Sequence, residues 1–240
     1  MKRFLKKYRH ALWALYVPLY LVAFFTVEKV ISFDSPYWVS YLPLDDKIPF
    51  VEWFILFYYL WFPSMVIVGL KLIVEDGDKF RRYIWFLATG FSLSILFFFI
   101  MPNGQNLRPY ELISETEQAC RTDFVDYGEI KENLFTWLVS RIYAVDTNTN
   151  VFPSIHVVGA FAVQFGLCES EWGKRRIIRL LGWVLLVFVN LSTVFCKQHS
   201  ILDVLGGVVL SALLYVLYYV INKNKMIKRR KLRRNNGNNG

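Results

Sequence analysis

The sequence predicts an all-α polytopic membrane protein, with six transmembrane helices and an external surface helix between the third and fourth. Three observations carry this. Of 240 residues, 55% are hydrophobic and 18% aromatic, too apolar for an ordinary soluble domain. The apolar residues bunch into runs close to the roughly 20 that a bilayer core of about 30 Å requires. The basic residues sort onto alternate connectors, as they do in membrane helices of fixed orientation.

The six runs are 11–32, 51–74, 82–101, 152–168, 177–196 and 200–221. The first is too long for a signal peptide and no small-residue cleavage site follows it, so it is expected to be retained. The second contains Pro63, which a membrane helix tolerates with a kink. The fourth is short and carries Pro153, His156 and Gln164. Before it, Ile130, Leu134, Phe135, Leu138, Val139 and Ile142 recur at helical spacing. That pattern predicts an amphipathic helix on the membrane surface or packed over the span ends. Residues 1–222 make one six-helix membrane domain, and 223–240 form a basic, low-complexity tail. There is no internal repeat.

Counting gaps alternately, one side receives 21 of the 28 Lys and Arg residues. Both termini are therefore expected in the cytoplasm and the 102–150 loop outside it. The small size without added domains points to a bacterial plasma membrane. The +9 net charge needs no nucleic acid, because no nucleic-acid fold accompanies it; the basic ends suit anionic lipid headgroups. Cys120 and Cys196 fall on the outer side, where an oxidising compartment would allow a disulfide. The three cysteines lack metal-ligand spacing and fit small apolar filler. The sequence leaves the oligomeric state open.

Polar groups converge on the outer side. Arg108 follows the third run, Ser154 and His156 open the fourth, Ser192, Thr193 and Lys197 close the fifth, and His199 and Asp203 open the sixth. Ionisable groups at membrane depth are costly and mark function. His199 and Asp203 stand four residues apart on one helical face, so the carboxylate can hold one imidazole N–H and leave the other nitrogen as a nucleophile or base. Pro153 and Ser154 look like the first turn of a helix, whose free N–H groups suit an anion such as phosphate. Arg108 adds a permanently charged fork for phosphate oxygens. No carboxylate cluster suits magnesium. Zinc on two His and one Asp, or a purely structural His–Asp pair, are the competing uses; Ser154 and Arg108 on the same side favour phosphate chemistry.

At these residues the sequence resembles the type 2 phosphatidic acid phosphatase superfamily, the lipid phosphate phosphatases. The family pattern is KxxxxxxRP, PSxH and SRxxxxxHxxxD. Here Pro153-Ser154-Ile155-His156 completes the second piece, Ser192-Thr193 with His199 and Asp203 fits the third, and Arg108-Pro109 keeps the end of the first. The resemblance covers nearly the whole chain. It implies a metal-independent lipid phosphate phosphatase without a cofactor, acting at the extracytoplasmic face through a phosphohistidine. His199 would be the nucleophile, Asp203 its orienting acid, and His156 the general acid and base. Arg108, Ser154, Ser192 and Lys197 would bind the substrate phosphate. Two departures stand out: Met101 replaces the family's Lys, and Thr193 its second Arg. A reduced clamp of this kind looks like the branch of inositol phosphorylceramide synthases and related head-group transferases. The alternatives are thus a lipid head-group phosphotransferase and a catalytically weakened lipid-binding member.

Overall fold

The structure, a computed structural model, describes residues 8–31, 34–120 and 124–221. The expected tail at 223–240 and much of the basic N-terminal segment lie outside the described residues.

Among the described residues there are eight α-helices, two short strands and several short 3-10 segments. A 3-10 segment, Arg9–Leu15, runs into α1 (Tyr16–Val30). Then come β1 (Trp38–Val39), α2 (Ile55–Glu75), α3 (Gly77–Ile100) and β2 (Asn103–Gly104). They are followed by α4 (Glu115–Cys120), α5 (Leu134–Tyr143), α6 (Ile155–Glu169), α7 (Arg176–Phe195) and α8 (Ile201–Tyr215), which continues to Ile221 as a π-helical turn. Among the described residues, five helices are long and apolar enough to cross a membrane: Arg9–Val30, Glu52–Glu75, Gly77–Ile100, Arg176–Phe195 and Ile201–Ile221. Their outward faces are apolar, with Leu19, Val66, Leu180 and Val209 all exposed. Surfaces of that kind belong in lipid, and the chain is an integral membrane protein.

The stretch expected as a further span forms α6, which has 15 residues. At 1.5 Å per residue it covers about 22 Å, short of a bilayer core. Its position explains its length. It packs against α2, α3, α7 and α8 at the centre of the bundle, and most of its residues are buried. A helix sheathed by other helices need not match the lipid. Gly159 lets α2 approach closely, since a Cβ there would lie 2.5 Å from Trp61 Nε1.

Caps set several of the helix starts. The Asp76 side chain accepts from the amides of Asp78 and Lys79 to open α3. Asn133 and Thr136 form a capping box on α5. That helix begins at Leu134, later than its periodicity suggests, and buries Val139 and Ile142 while Leu134 and Trp137 stay exposed. At the same end of the bundle β1 pairs in parallel with β2, joining the 34–50 loop to the segment after α3.

Candidate active site

Ser200 and Asp203 open α8 with a second capping box. Asp203 Oδ2 accepts from the Ser200 amide at 2.9 Å, and the same oxygen lies 3.4 Å from His199 Nδ1. A local helix-start signal thus fixes a carboxylate against an imidazole. Ser40, just past β1, donates to Asp203 Oδ1. The other nitrogen of His199, Nε2, sits 3.1 Å from His156 Nδ1. His156 occupies the first turn of α6 between the rings of Tyr58 and Trp61, each centroid 4.5 Å from its own. His156 is 3% exposed, His199 4% and Asp203 0%. The two helix starts are tied directly, because the Ser154 amide donates to the Asp203 carbonyl at 3.1 Å.

The α6 helix begins at Ile155, so Ser154 is its N-cap and Pro153 precedes the cap instead of filling the first turn. The Ser154 hydroxyl does not cap: it is buried and has no hydrogen-bond partner among the described residues. It sits where the unpaired first amides of α6 and the positive end of its dipole converge. Together they form a neutral cradle for an anion.

The remaining residues expected at the phosphate are engaged by the protein itself. Arg108 is fully buried; its Nη2 donates to the Asp146 carbonyl at 2.5 Å and Gln198 Oε1 at 2.6 Å, and its guanidinium lies 4.4 Å over the Tyr143 ring. It therefore stands behind Asp146 and Gln198. The Ser192 hydroxyl donates to Val189 O at 2.7 Å and that of Thr193 to Asn190 O at 2.8 Å, both within α7. Lys197 turns away to the 34–50 loop, donating to Asp45 O at 3.0 Å and Ile48 O at 2.6 Å. Burial pulls its pKa down to about 8, against the opposing pull of Asp45 and Asp46. Its backbone has φ 53°. This is the left-handed residue of a Schellman motif that ends α7, with Gln198 N bonded to Thr193 O and Lys197 N to Val194 O.

Four groups escaped the sequence reading. Asp45 accepts from the Ser200 hydroxyl at 2.6 Å and the Ile201 amide at 2.9 Å, bracing the start of α8. Ser40 holds Asp203. Asp146 accepts from the Tyr58 hydroxyl at 2.5 Å and faces His156 Nε2 at 3.8 Å. Glu28 in α1 is buried and anchors the 147–150 connector, taking Thr147 N at 3.0 Å and Asn150 Nδ2 at 2.8 Å. Only the acidic residues themselves hinted at these roles, since their partners are far apart in sequence. Cys120, Cys168 and Cys196 form no disulfide, which corrects the expected Cys120–Cys196 pairing: Cys196 is buried at the C-cap of α7 and Cys120 is exposed. Among the described residues no group of three or more His, Cys, Asp or Glu is placed to hold a metal ion.

A profile of the PAP2 superfamily matches residues 22–217, which include every residue of this arrangement. The chain belongs to the PAP2 superfamily. Within that superfamily, a 71-residue stretch is 41% identical to sphingosine-1-phosphate phosphatase 2 of Homo sapiens. The corresponding match to sphingosine-1-phosphate phosphatase 2 of Mus musculus is 35% identical over 71 residues. Each match takes in 28% of this PAP2 chain, and 18% and 20% of those proteins respectively.

Proposed function

We propose that this PAP2 protein is a lipid phosphate phosphatase that works through a phosphohistidine. One observation carries the reading. His199 Nε2 and His156 Nδ1 meet at 3.1 Å beside the unpartnered Ser154 hydroxyl, with Asp203 on the far nitrogen of His199. In this scheme His199 Nε2 attacks phosphorus as the P–O bond to the lipid breaks. His156 Nδ1 gives its proton to the departing oxygen. Water then attacks the N–P bond, passing a proton to His156, and inorganic phosphate leaves. Asp203 keeps the proton on His199 Nδ1 and stabilises the imidazolium. Negative charge on the phosphoryl oxygens meets the α6 amides and Ser154, the electrostatic stabilisation such a transfer needs. The attacking atom is an imidazole nitrogen, so the scheme requires no metal.

The substrate is an amphiphile. An apolar groove of about 560 Å³ runs between α3 and α8 and ends at Phe152 and Pro153, next to Ser154. An alkyl chain in that groove would place its phosphate at the start of α6. The names of the similar human and mouse proteins suggest a phosphorylated long-chain base within this class. The basic connectors would lie at the cytoplasmic face, placing the site at the opposite one and α5 on the external surface.

A head-group transferase is the second reading. It is favoured by Met101, at the end of α3, and Thr193, whose hydroxyl is taken by Asn190 O; neither supplies the expected positive charge. The test is phosphate release from lipid phosphates in mixed micelles with EDTA present. Wild type should release phosphate, and His199→Ala should lose on the order of 10⁴-fold or more. Release from both proteins would refute the nucleophile. Release that appears only as new phospholipid when an acceptor alcohol is added would establish the transferase.

A further inference from the structure

The mechanism above gives His199 a carboxylate and leaves His156 without one. The structure supplies it. Asp146 Oδ2 lies 3.8 Å from His156 Nε2, on the side of the ring opposite His199. This is an ion-pair distance, longer than a hydrogen bond. The carboxylate is held in place from several directions. Tyr58, whose ring packs on His156, donates to Oδ2 at 2.5 Å, and Gln198 Nε2 approaches the same oxygen at 3.3 Å. Arg108 donates to the carbonyl of Asp146 itself and to Gln198. Glu28 clamps the next residues of the connector through Thr147 and Asn150. So much scaffolding around one carboxylate is more than a turn residue needs.

We propose that Asp146 is a second positioning carboxylate of the site, holding His156 so that Nε2 carries a proton and Nδ1 faces the reacting phosphoryl group. The inference rests on His156 being the acid and base of the reaction. Without Asp146, a neutral imidazole can put its proton on either nitrogen. With it, once His199 Nε2 is bonded to phosphorus, the Nε2–H form is favoured and Nδ1 has a lone pair to take the proton of water. When His156 is cationic, it donates from Nδ1 to the departing oxygen while Asp146 offsets its charge. Each half of the reaction then moves one proton at Nδ1 and none at Nε2. The ionisable groups around His156 are Tyr58 from α2, His199 before α8, and Asp146, with Arg108, Asp203 and Glu28 one contact further out. Among the described residues, only Asp146 and His199 face its ring nitrogens.

The chain has three histidines, so ¹⁵N-imidazole NMR of the detergent-solubilised protein can follow each one. His10→Gln and His199→Gln variants assign the signals. Below its midpoint, wild type should show His156 protonated at Nε2 facing Asp146, with its Nδ1–H donated to His199 Nε2. In Asp146→Asn its titration midpoint should fall by about one unit or more, because an opposite charge at this range favours the imidazolium. Asp146→Glu, which keeps the charge, should restore the midpoint. The alkaline limb of the phosphate-release profile should move to lower pH by the matching amount in Asp146→Asn, because the cationic acid is lost earlier as pH rises. Should Asp146→Asn not fold, Tyr58→Phe frees the carboxylate from its strongest competitor, and the His156 midpoint should rise. A His156 midpoint unchanged in Asp146→Asn, or unchanged in Tyr58→Phe, would overturn the proposal. A wild type that shows the Asp146-dependent shift but releases no phosphate would overturn the phosphatase reading and leave this one standing.

Discussion

Ser154 is the residue where structure and chemistry part most clearly. A buried hydroxyl without a partner costs free energy, and a native fold keeps one only where something else uses it. Its neighbours have not done so: the hydroxyl caps none of the first α6 amides and the Asp203 carbonyl takes the Ser154 amide, not the hydroxyl. Ser154→Ala should therefore leave thermal stability unchanged or slightly raised. It should weaken phosphate binding, because a hydrogen bond to a charged group is worth about 1.5–3 kcal/mol, roughly tenfold or more. Inhibition of turnover by inorganic phosphate reads that loss directly. A drop in melting temperature with unchanged inhibition would show that the hydroxyl serves the fold.

At the level of elements, the site is the meeting of two helix starts, α6 and α8, and their spacing is set by a glycine. A Cβ on Gly207 would lie 2.7 Å from Val157 Cβ and 2.9 Å from the Ser154 carbonyl. The second of these is backbone and cannot rotate away. Gly207→Ala should push α8 off α6, parting His199 and Asp203 from His156 and Ser154. The expected cost is about 1–3 kcal/mol of stability, with a larger proportional loss of phosphate release; a thermal melt and an activity assay on one preparation check both. The helix starts also explain what the sequence made legible. Ser154, His156, His199 and Asp203 share two local signals, a helix cap and an i, i+4 pair, and such signals survive without a fold. Asp45, Ser40 and Asp146 sit in connectors, and their partners lie up to 163 residues away. Their paths are set by the β1–β2 pairing and by Glu28, neither of which has a period to read. Lys197 shows the converse. It stands beside His199 in sequence, but the Schellman turn that frees His199 swings the lysine to the opposite side.

Over the whole molecule, a cluster of lysines and arginines and the candidate site occupy opposite ends of the bundle. His156, His199 and Asp203 lie where α6 and α8 begin, whereas Lys71, Lys79, Arg82, Lys174 and Arg179 cluster where α2, α6 and their neighbours turn back. Arg82 there pairs with Glu169 at 2.5 Å, so the basic end is also braced. Anchoring lysines and arginines on the cytoplasmic side would put the reaction on the other face, where it meets lipid headgroups of the outer leaflet. The native cysteines can test this without new ones. Cys120 is exposed in the segment between α3 and α6, at the site end, and Cys168 is exposed near the last turn of α6, at the basic end, while Cys196 is buried. Cys168→Ser and Cys120→Ser leave one accessible thiol each. A membrane-impermeant maleimide added to intact cells should label Cys120 in the first variant at once. It should reach Cys168 in the second only after the membrane is permeabilised. The reverse pattern would turn the bundle over: the active site would then draw its substrate from the inner leaflet, and the basic connectors would need a reason other than orientation to lie together.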